Sequence, residues 1–333
     1  MLNHKISKLS ITLAFLVISP LKATASSFSE FVFFGDSITD TGNVFLATGQ
    51  QTVTPPFGAI IPSLPYDDTK NFSNGAVWAQ YLADFNGLSA NPSLAGGSNF
   101  AFGGAASQTL PSDISPSPSL EVQLDLWQST TSNQANPDAL YFVQGGGNDI
   151  RLTGILPDSE PVSFLQESAN SVGGVVQELI DAGATNIAVL NAPDLGTTPE
   201  AISGGFRTEA TALSQFYNAS LDGALDSLDT EGVNLIEVDL FDFITSITDD
   251  PTAFGLPANT VTDSSCILPD SVCSNPDEFI FYDGIHPTTV THLALANVVN
   301  QQIQDTTPVP EPSTLLLGLG SVLVLIKRKK QVS

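Results

Sequence analysis

The residues FVFFGDSITDTGN, numbers 31–43, predict how the fold of this chain begins. Its apolar run Phe31–Phe34 predicts a short buried strand that ends at Gly35. Ser37 follows directly, where a helix would begin in a chain of alternating strands and helices. There its hydroxyl can project from the strand end, while backbone N–H groups of the helix face a developing anion. The alternative is that Ser37 only caps a helix, which is a common use of serine.

After residues 31–43, apolar runs and helical spacings alternate along the chain. This alternation predicts one α/β domain, residues 26–304, with a parallel sheet and helices on both faces. Functional groups of such folds collect at the carboxyl ends of the strands. The expected strands are Phe31–Phe34, Asn99–Phe102, Ala139–Val143, Asn186–Leu190 and Val233–Val238, and the expected helices are Ala76–Phe85, Leu120–Trp127, Ser163–Asp181, Phe206–Leu228 and Thr289–Gln304.

Two later strand ends carry groups that could bind an anion. The first is NFAFGGA, residues 99–105, where Gly103 and Gly104 let the backbone approach a ligand closely. The second is GGGND, residues 145–149, where Asn148 could point an amide N–H at the same place. Gly-Gly turns and Asn-Asp pairs are also ordinary turn formers. Each signal is weak alone and gains weight beside a nucleophile and a base.

A serine nucleophile needs a base whose pKa lies near neutrality, and histidine usually supplies it. Of the three histidines, His4 lies in the N-terminal segment, and His292 lies inside the last predicted helix, where we expect a structural role. His286 precedes that helix in YDGIHPT, residues 282–288. Asp283 is near enough on this turn to orient the imidazole. The alternative makes Asp283 a turn former and His286 a surface residue.

The two ends of the chain hold most of its cations. Residues 1–25 have a basic start, an apolar run and Ala23-Thr24-Ala25, which together are typical of a signal peptide. Residues 305–313 read as a linker, and residues 314–333 are an apolar stretch closed by a basic cluster, which predicts a sorting or anchor segment. Between them, residues 26–307 hold three Lys or Arg and 34 Asp or Glu, a net charge of about −31. Such a domain excludes nucleic-acid partners, and we expect an exported monomer.

The only two cysteines, Cys266 and Cys273, lie in a segment rich in Ser, Pro and Asp. In an oxidising compartment, a disulfide that closes this short loop is expected. Two cysteines with no histidine nearby make a poor zinc site.

Together these motifs resemble those of the GDSL-type SGNH hydrolase family. The matching stretches are residues 35–43, 99–105, 145–149 and 283–288, and residues 72–78 and 192–199 resemble its lipase, phospholipase and haemolysin-like branch. The resemblance implies a three-layer α/β/α sandwich with a five-stranded parallel sheet similar to that of flavodoxin. It also implies that neither a metal nor a cofactor is needed.

By position, the resemblance implies that Ser37 is the nucleophile and His286 the base, oriented by Asp283. The groups of the implied oxyanion hole are the Ser37 backbone N–H, the Asn148 side chain and the N–H of Gly104, with Gly103 left open as the alternative.

The C-terminal segment resembles a different kind of signal. Its order of Pro310-Glu311-Pro312, an apolar run and Lys327-Arg328-Lys329-Lys330 is similar to the PEP-CTERM sorting signal of Gram-negative bacteria and cyanobacteria. This resemblance implies that export and sorting machinery handles the chain and delivers it to the cell envelope or beyond.

These observations predict a serine esterase or lipase that acts on small-molecule or lipid esters. A carbohydrate esterase that deacetylates extracellular polysaccharide is the main alternative, and a non-catalytic surface protein on the same fold is another. Aromatic residues that could form the walls of the substrate pocket fit a protein core equally well. They are Phe57, Phe72, Trp78, Phe100 and Phe102.

Overall fold

The computed structural model describes residues 28–49, 69–154 and 161–306. The predicted signal peptide, the sorting segment and Phe57 lie outside these residues, so what was predicted for them stays a prediction. Residues 305–306, assigned above to the linker, continue the last helix. Within the described ranges, no helix is both long enough and apolar enough to cross a membrane.

Strands and helices alternate through most of the described chain. The strands are β1 (Glu30–Phe34), β2 (Ala139–Gln144), β3 (Asn186–Leu190), β4 (Asn234–Val238), β5 (Val261–Ser265), β6 (Ile267–Leu268), β7 (Ser271–Val272) and β8 (Phe279–Phe281). The helices are α1 (Asn43–Ala47), α2 (Trp78–Phe85), α3 (Leu120–Thr131), α4 (Gly147–Leu152), α5 (Pro161–Asp181), α6 (Pro199–Gly204), α7 (Arg207–Asp226), α8 (Leu240–Asp249) and α9 (Thr289–Thr306).

The central sheet is parallel and has helices on both faces, as predicted. Its order is β1–β2–β3–β4, and the register places Phe33 beside Phe142 and Val143 beside Val189. Because side chains alternate along a strand, each strand contributes to both cores. Phe31, Phe33, Leu140 and Phe142 pack in one core with residues of α2, α8 and α9, and Val32, Phe34, Tyr141 and Val143 pack in the other with residues of α3, α5 and α7.

The sheet has four strands where five were predicted. The expected strand Asn99–Phe102 does run parallel to β1 and is hydrogen-bonded to it, because Phe100 N–H donates to Phe33 O at 2.7 Å and Phe102 N–H donates to Gly35 O at 3.1 Å. Only Phe33 and Asn99 form a complete bridge, however, so the segment does not extend the sheet by a full strand. The side chain of Asn43 donates to the carbonyls of Asn99 and Ala101 at 2.8 and 2.9 Å. The ladder with β1 stays incomplete because Gly35 N–H, which would donate to Phe100 O in a longer parallel ladder, donates to the Gln123 side chain at 2.9 Å instead.

Cys266 and Cys273 form a disulfide that closes the β6–β7 hairpin. The hairpin is tied to the end of β8, because Cys266 N–H donates to Phe281 O at 3.1 Å and Ile267 N–H donates to Tyr282 O at 2.7 Å. It therefore supports the loop that leads from β8 into α9.

Candidate active site

The turn that carries Ser37 is clamped by two buried glutamines. Gln123 of α3 exchanges two hydrogen bonds with the backbone of Gly35, both at 2.9 Å. Gln144, which ends β2, accepts from Asp36 N–H at 3.1 Å and donates to Asp36 Oδ2 at 3.0 Å. A Cβ atom at Gly35 would lie 2.9 Å from Gln144 Oε1, so this close approach requires glycine. Ser37 is thereby fixed at the carboxyl edge of the sheet.

The expectation that a helix begins at Ser37, and with it the helix-cap alternative, is wrong. Thr39 and Asp40 both donate their N–H groups to Asp36 O, which makes a single turn, and α1 begins only at Asn43. The helix starts later because the Asp40 carboxylate caps it. The N–H groups that it accepts there are those of Gly42, Asn43 and Val44.

The loop between β8 and α9 brings His286 to Ser37. Nε2 of His286 lies 2.8 Å from Ser37 Oγ, and its Nδ1 lies 2.7 Å from Asp283 Oδ2. Asp283 Oδ1 accepts the backbone N–H groups of Ile285 and His286, which holds the carboxylate in place. With a carboxylate at Nδ1 the imidazole proton lies there, and Nε2 can accept from the serine hydroxyl. The side chains are buried, with Ser37 7%, His286 4% and Asp283 0% exposed.

The two candidate glycine donors differ in availability. The N–H of Gly103 donates to Asp40 Oδ2 at 3.0 Å. The N–H of Gly104 has no hydrogen-bond partner among the described residues, and its φ of 79° favours glycine. Asn148 donates one amide hydrogen to Ala105 O at 2.9 Å, which leaves the other for a ligand. Gly104 and Asn148 both border the cleft above Ser37.

Asp40 is a residue of the opening motif to which sequence reasoning gave no role. Its carboxylate accepts the N–H of Gly103, far along the chain, as well as those of the α1 N-terminus. Burial raises the pKa of Asp40 to about 6, against the lowering effect of these backbone donors. An Asp just before Thr-Gly-Asn could have signalled the helix cap. The bond to Gly103 depends on tertiary structure alone.

A buried polar cluster supports α4 behind Asn148. Asp149 accepts from the backbone and the hydroxyl of Ser107, and the Ser107 hydroxyl lies 3.1 Å from that of Tyr217. Burial raises the pKa of Asp149, and burial together with the charge of Asp149 raises the pKa of Tyr217 well above its usual value. The Tyr217 ring also fills the space beside Gly146, so the start of α4 is fixed.

His292 lies in α9, outside the cleft that Ser37 borders. It lines a separate cavity of about 40 Å³ with mostly apolar neighbours, and neither ring nitrogen has a hydrogen-bond partner within the described ranges. Burial, and secondarily the charge of His286, lowers its pKa to about 3. Among the described residues, no three His, Cys, Asp or Glu side chains are grouped to hold a metal ion.

Ser37 and His286 open into a cleft of about 830 Å³. Phe72 lines it, with its ring centroid 5.2 Å from that of the His286 imidazole. Trp78, Phe100 and Phe102, also suggested as pocket walls, are buried in the protein core and are not part of the cleft lining. Further apolar side chains line the cleft, namely those of Ile114, Pro116, Ile150, Leu152, Leu195, Phe206, Ala210, Leu213 and Ile285.

Comparison with known proteins gives a family match over most of the chain. The family described as GDSL-like Lipase/Acylhydrolase matches residues 31–299. A GDSL esterase/lipase of Arabidopsis thaliana is 23% identical, over 86% of this chain and 92% of the relative. Esterase EstA of Pseudomonas aeruginosa is 26% identical over 83% of this chain, which spans 47% of that protein. The phosphatidylcholine-sterol acyltransferase of Aeromonas hydrophila is 25% identical, over 81% of this chain and 88% of that protein.

Among solved structures, the acetylxylan esterase Axe2 of Geobacillus stearothermophilus aligns with 84% of this chain and 95% of its own. The sequence identity is 14% and the TM-score is 0.44.

Proposed function

The chain belongs to the GDSL-like lipase/acylhydrolase family, and we propose that it hydrolyses carboxylic esters through an acyl-enzyme formed on Ser37. The proposal rests on one observation, the continuous chain of hydrogen bonds that joins Ser37, His286 and Asp283. Ser37 Oγ lies 2.8 Å from His286 Nε2, and His286 Nδ1 lies 2.7 Å from Asp283 Oδ2. A nucleophile, a base and an orienting carboxylate in this geometry are what acyl transfer requires.

In the first step, His286 Nε2 takes the Ser37 proton as Oγ attacks the ester carbonyl. Asp283 stabilises the resulting imidazolium without taking its proton. The alcohol then leaves with the proton from Nε2, and the acyl group remains on Oγ. Water repeats the sequence on the acyl-enzyme, and the carboxylic acid is released.

The negative charge that develops on the carbonyl oxygen needs preorganised donors. We assign these to the backbone N–H groups of Ser37 and Gly104 and to the free amide hydrogen of Asn148. Gly103 is set aside because its N–H donates to Asp40.

The walls of the cleft support an apolar acyl group as the substrate. A cleft of about 830 Å³ with many apolar side chains is far larger than an acetyl group needs. We therefore place esters of acyl chains longer than acetyl ahead of acetylated polysaccharide.

We also propose that the catalytic domain, residues 26–304, is exported as a monomer to the cell envelope or medium by the signals read at the two ends of the sequence. The Cys266–Cys273 disulfide supports an oxidising compartment. The negative charge of the domain favours separate molecules through mutual repulsion. Mass spectrometry of the protein recovered from its host tests this, because removal of residues 1–25 is expected, and an intact N-terminus on cytoplasmic protein contradicts it.

A fluorophosphonate probe tests the catalytic assignment. We expect stoichiometric labelling on Ser37 and none in Ser37→Ala, which should also lose hydrolysis of nitrophenyl octanoate. Labelling at another serine, or full turnover by Ser37→Ala, would refute the assignment. A series of nitrophenyl esters beside an acetylated polysaccharide tests the acyl group, and a clear preference for acetyl would reverse the order given above.

A further inference from the structure

One ion pair lies in the wall of the cleft. Arg151 Nε lies 3.0 Å from Glu200 Oε2, and its Nη2 lies 3.1 Å from Glu200 Oε1, so the guanidinium and the carboxylate form a bidentate pair. Both residues line the cleft that Ser37 borders. Their side chains keep 35% and 31% of their surface exposed, so a ligand in the cleft can reach them.

The pair is fixed relative to the reacting groups on both sides. Arg151 is on α4, one turn after Asn148. Glu200 lies in the first turn of α6, and its backbone N–H donates at 2.9 Å to Gly284 O, inside the loop that holds Asp283 and His286. A substrate group bound to the pair would therefore be held in register with the ester carbonyl.

Its chemistry is that of a combined donor and acceptor. Two of the five guanidinium N–H groups of Arg151 bond to Glu200, and the other three have no partner within the described ranges. Glu200 keeps lone pairs that can accept. Glu209 also lines the cleft, so the charges of Arg151, Glu200 and Glu209, the Arg, Lys, Asp and Glu side chains of the described lining, sum to a negative value. This charge disfavours phosphate or carboxylate groups.

We propose that Arg151 and Glu200 form a subsite for the alcohol part of the ester and select neutral alcohols with neighbouring hydroxyl groups, such as glycerol or a sugar. One hydroxyl oxygen accepts from the guanidinium, and a neighbouring hydroxyl donates to the carboxylate. This proposal rests on the proposed function, because it assigns the alcohol side of the same cleft.

Three octanoyl esters that differ only in the alcohol test the subsite: methyl octanoate, monooctanoylglycerol and octanoylated glucose. We expect the wild type to have a higher kcat/KM for the two hydroxylated esters than for the methyl ester. Arg151→Met should lower the ratio of kcat/KM for a hydroxylated ester to kcat/KM for the methyl ester about tenfold, since the lost hydrogen bonds involve a charged group. Glu200→Gln should lower it in the same direction while it keeps the shape of the side chain.

Arg207→Met is the matched control, because it removes an exposed arginine that donates to Gly196 O and is not part of the cleft lining. It should leave all three rates and their ratio unchanged, and thermal melts check that every variant is folded. If the Arg151 and Glu200 variants lower the ratio for only one of the two hydroxylated esters, that ester identifies which alcohol, glycerol or sugar, the subsite binds. An unchanged ratio with equal losses on all three esters means that the pair only supports the fold, which overturns the subsite. Wild type without activity on any of them instead refutes the proposed esterase itself.

Discussion

Asn148 is the one proposed oxyanion donor that belongs to a side chain, so it can be removed without a change to the backbone. We expect Asn148→Ala to lower kcat at least about a hundredfold with a smaller change in KM, because the bond is strongest in the transition state. Steady-state rates on nitrophenyl octanoate measure this. Asn297→Ala, on the exposed side of α9, is the control. Turnover of Asn148→Ala within threefold of wild type would contradict the role.

Asp40 acts on the proposed site through the backbone. Its carboxylate holds both the start of α1 and the Gly103 N–H, and Gly104 is the next residue. Asp40→Asn keeps the size of the side chain but loses acceptor capacity, so Gly104 should shift. We expect kcat to fall about tenfold or more while KM changes little.

Asp239→Asn is the matched control for Asp40→Asn, because the Asp239 carboxylate also caps a helix, α8, but accepts from Asn191 rather than from the Gly103–Gly104 segment. Its effect should be confined to stability. Equal kcat values for the two variants would show that Asp40 does not position the oxyanion donors.

His292 should make the folded protein sensitive to acid. Its pKa is about 3 in the folded protein against 6.5 for an ordinary histidine, so between these values the unfolded chain binds a proton that the folded protein does not. The contribution of neutral His292 to the free energy of unfolding is fully present above about pH 6.5. It is lost as the pH falls towards 3, by up to about 1.4 kcal/mol per pH unit.

Urea unfolding of wild type and His292→Leu at pH 7, 6 and 5 measures this effect. The free energy of unfolding of His292→Leu relative to that of wild type should rise as the pH falls, because only wild type carries the titrating His292. The carboxylates that both proteins share cancel in this difference. A constant difference across this range would show that His292 does not titrate as described.

Most strands and the long helices could be predicted from the sequence. Apolar runs such as Phe31–Phe34 and the periodicity of α5 or α7 are local signals. By contrast, α8 has many aromatic and β-branched residues, which suit strands, and it is helical because Asp239 caps it and its apolar side packs on the sheet. The segment Asn99–Phe102 is not a full strand because Gly35 N–H donates to the Gln123 side chain, and this contact is not visible in sequence.

The residues of the proposed site likewise include some that the sequence could predict and some that it could not. Ser37, His286 and Asp283 could be read from motifs, since each follows a strand or precedes a helix. The bond from Asp40 to Gly103 and the pair of Arg151 with Glu200 could not, because each joins segments that only the fold brings together.

The disulfide of the β6–β7 hairpin can be removed by substitution or by reduction. It closes a short loop, and the chain-entropy model gives a loop of this size about 2 kcal/mol. We expect the double substitution Cys266→Ser and Cys273→Ser to lower the free energy of unfolding by about that amount. Since the hairpin bonds to Phe281 and Tyr282, activity should also be lost at a lower temperature. Reduction of wild type with dithiothreitol should reproduce the loss, and an unchanged melting curve in both cases would contradict it.

Charge is distributed very unevenly along the chain. The three Lys or Arg of residues 26–307 are Lys70, Arg151 and Arg207, and only Arg151 lines the cleft, where Glu200 already pairs with it. An incoming substrate therefore meets a negative field from the domain as a whole and from the cleft itself. Neutral esters should be affected little by this field, and anionic esters should be repelled.

Two nitrophenyl esters of similar size, a neutral butyrate and an anionic hemisuccinate, test this field. Salt shortens the range of the repulsion, from a Debye length of about 30 Å at 0.01 M to about 10 Å at 0.1 M. Between these concentrations, kcat/KM for the hemisuccinate should rise several-fold while that for the butyrate changes less than twofold. Glu209→Gln, which removes one charge from the cleft lining, should weaken the salt dependence for the hemisuccinate alone. If both esters respond to salt equally, the field does not act on the substrate, and the selection against anions must come from contacts inside the cleft.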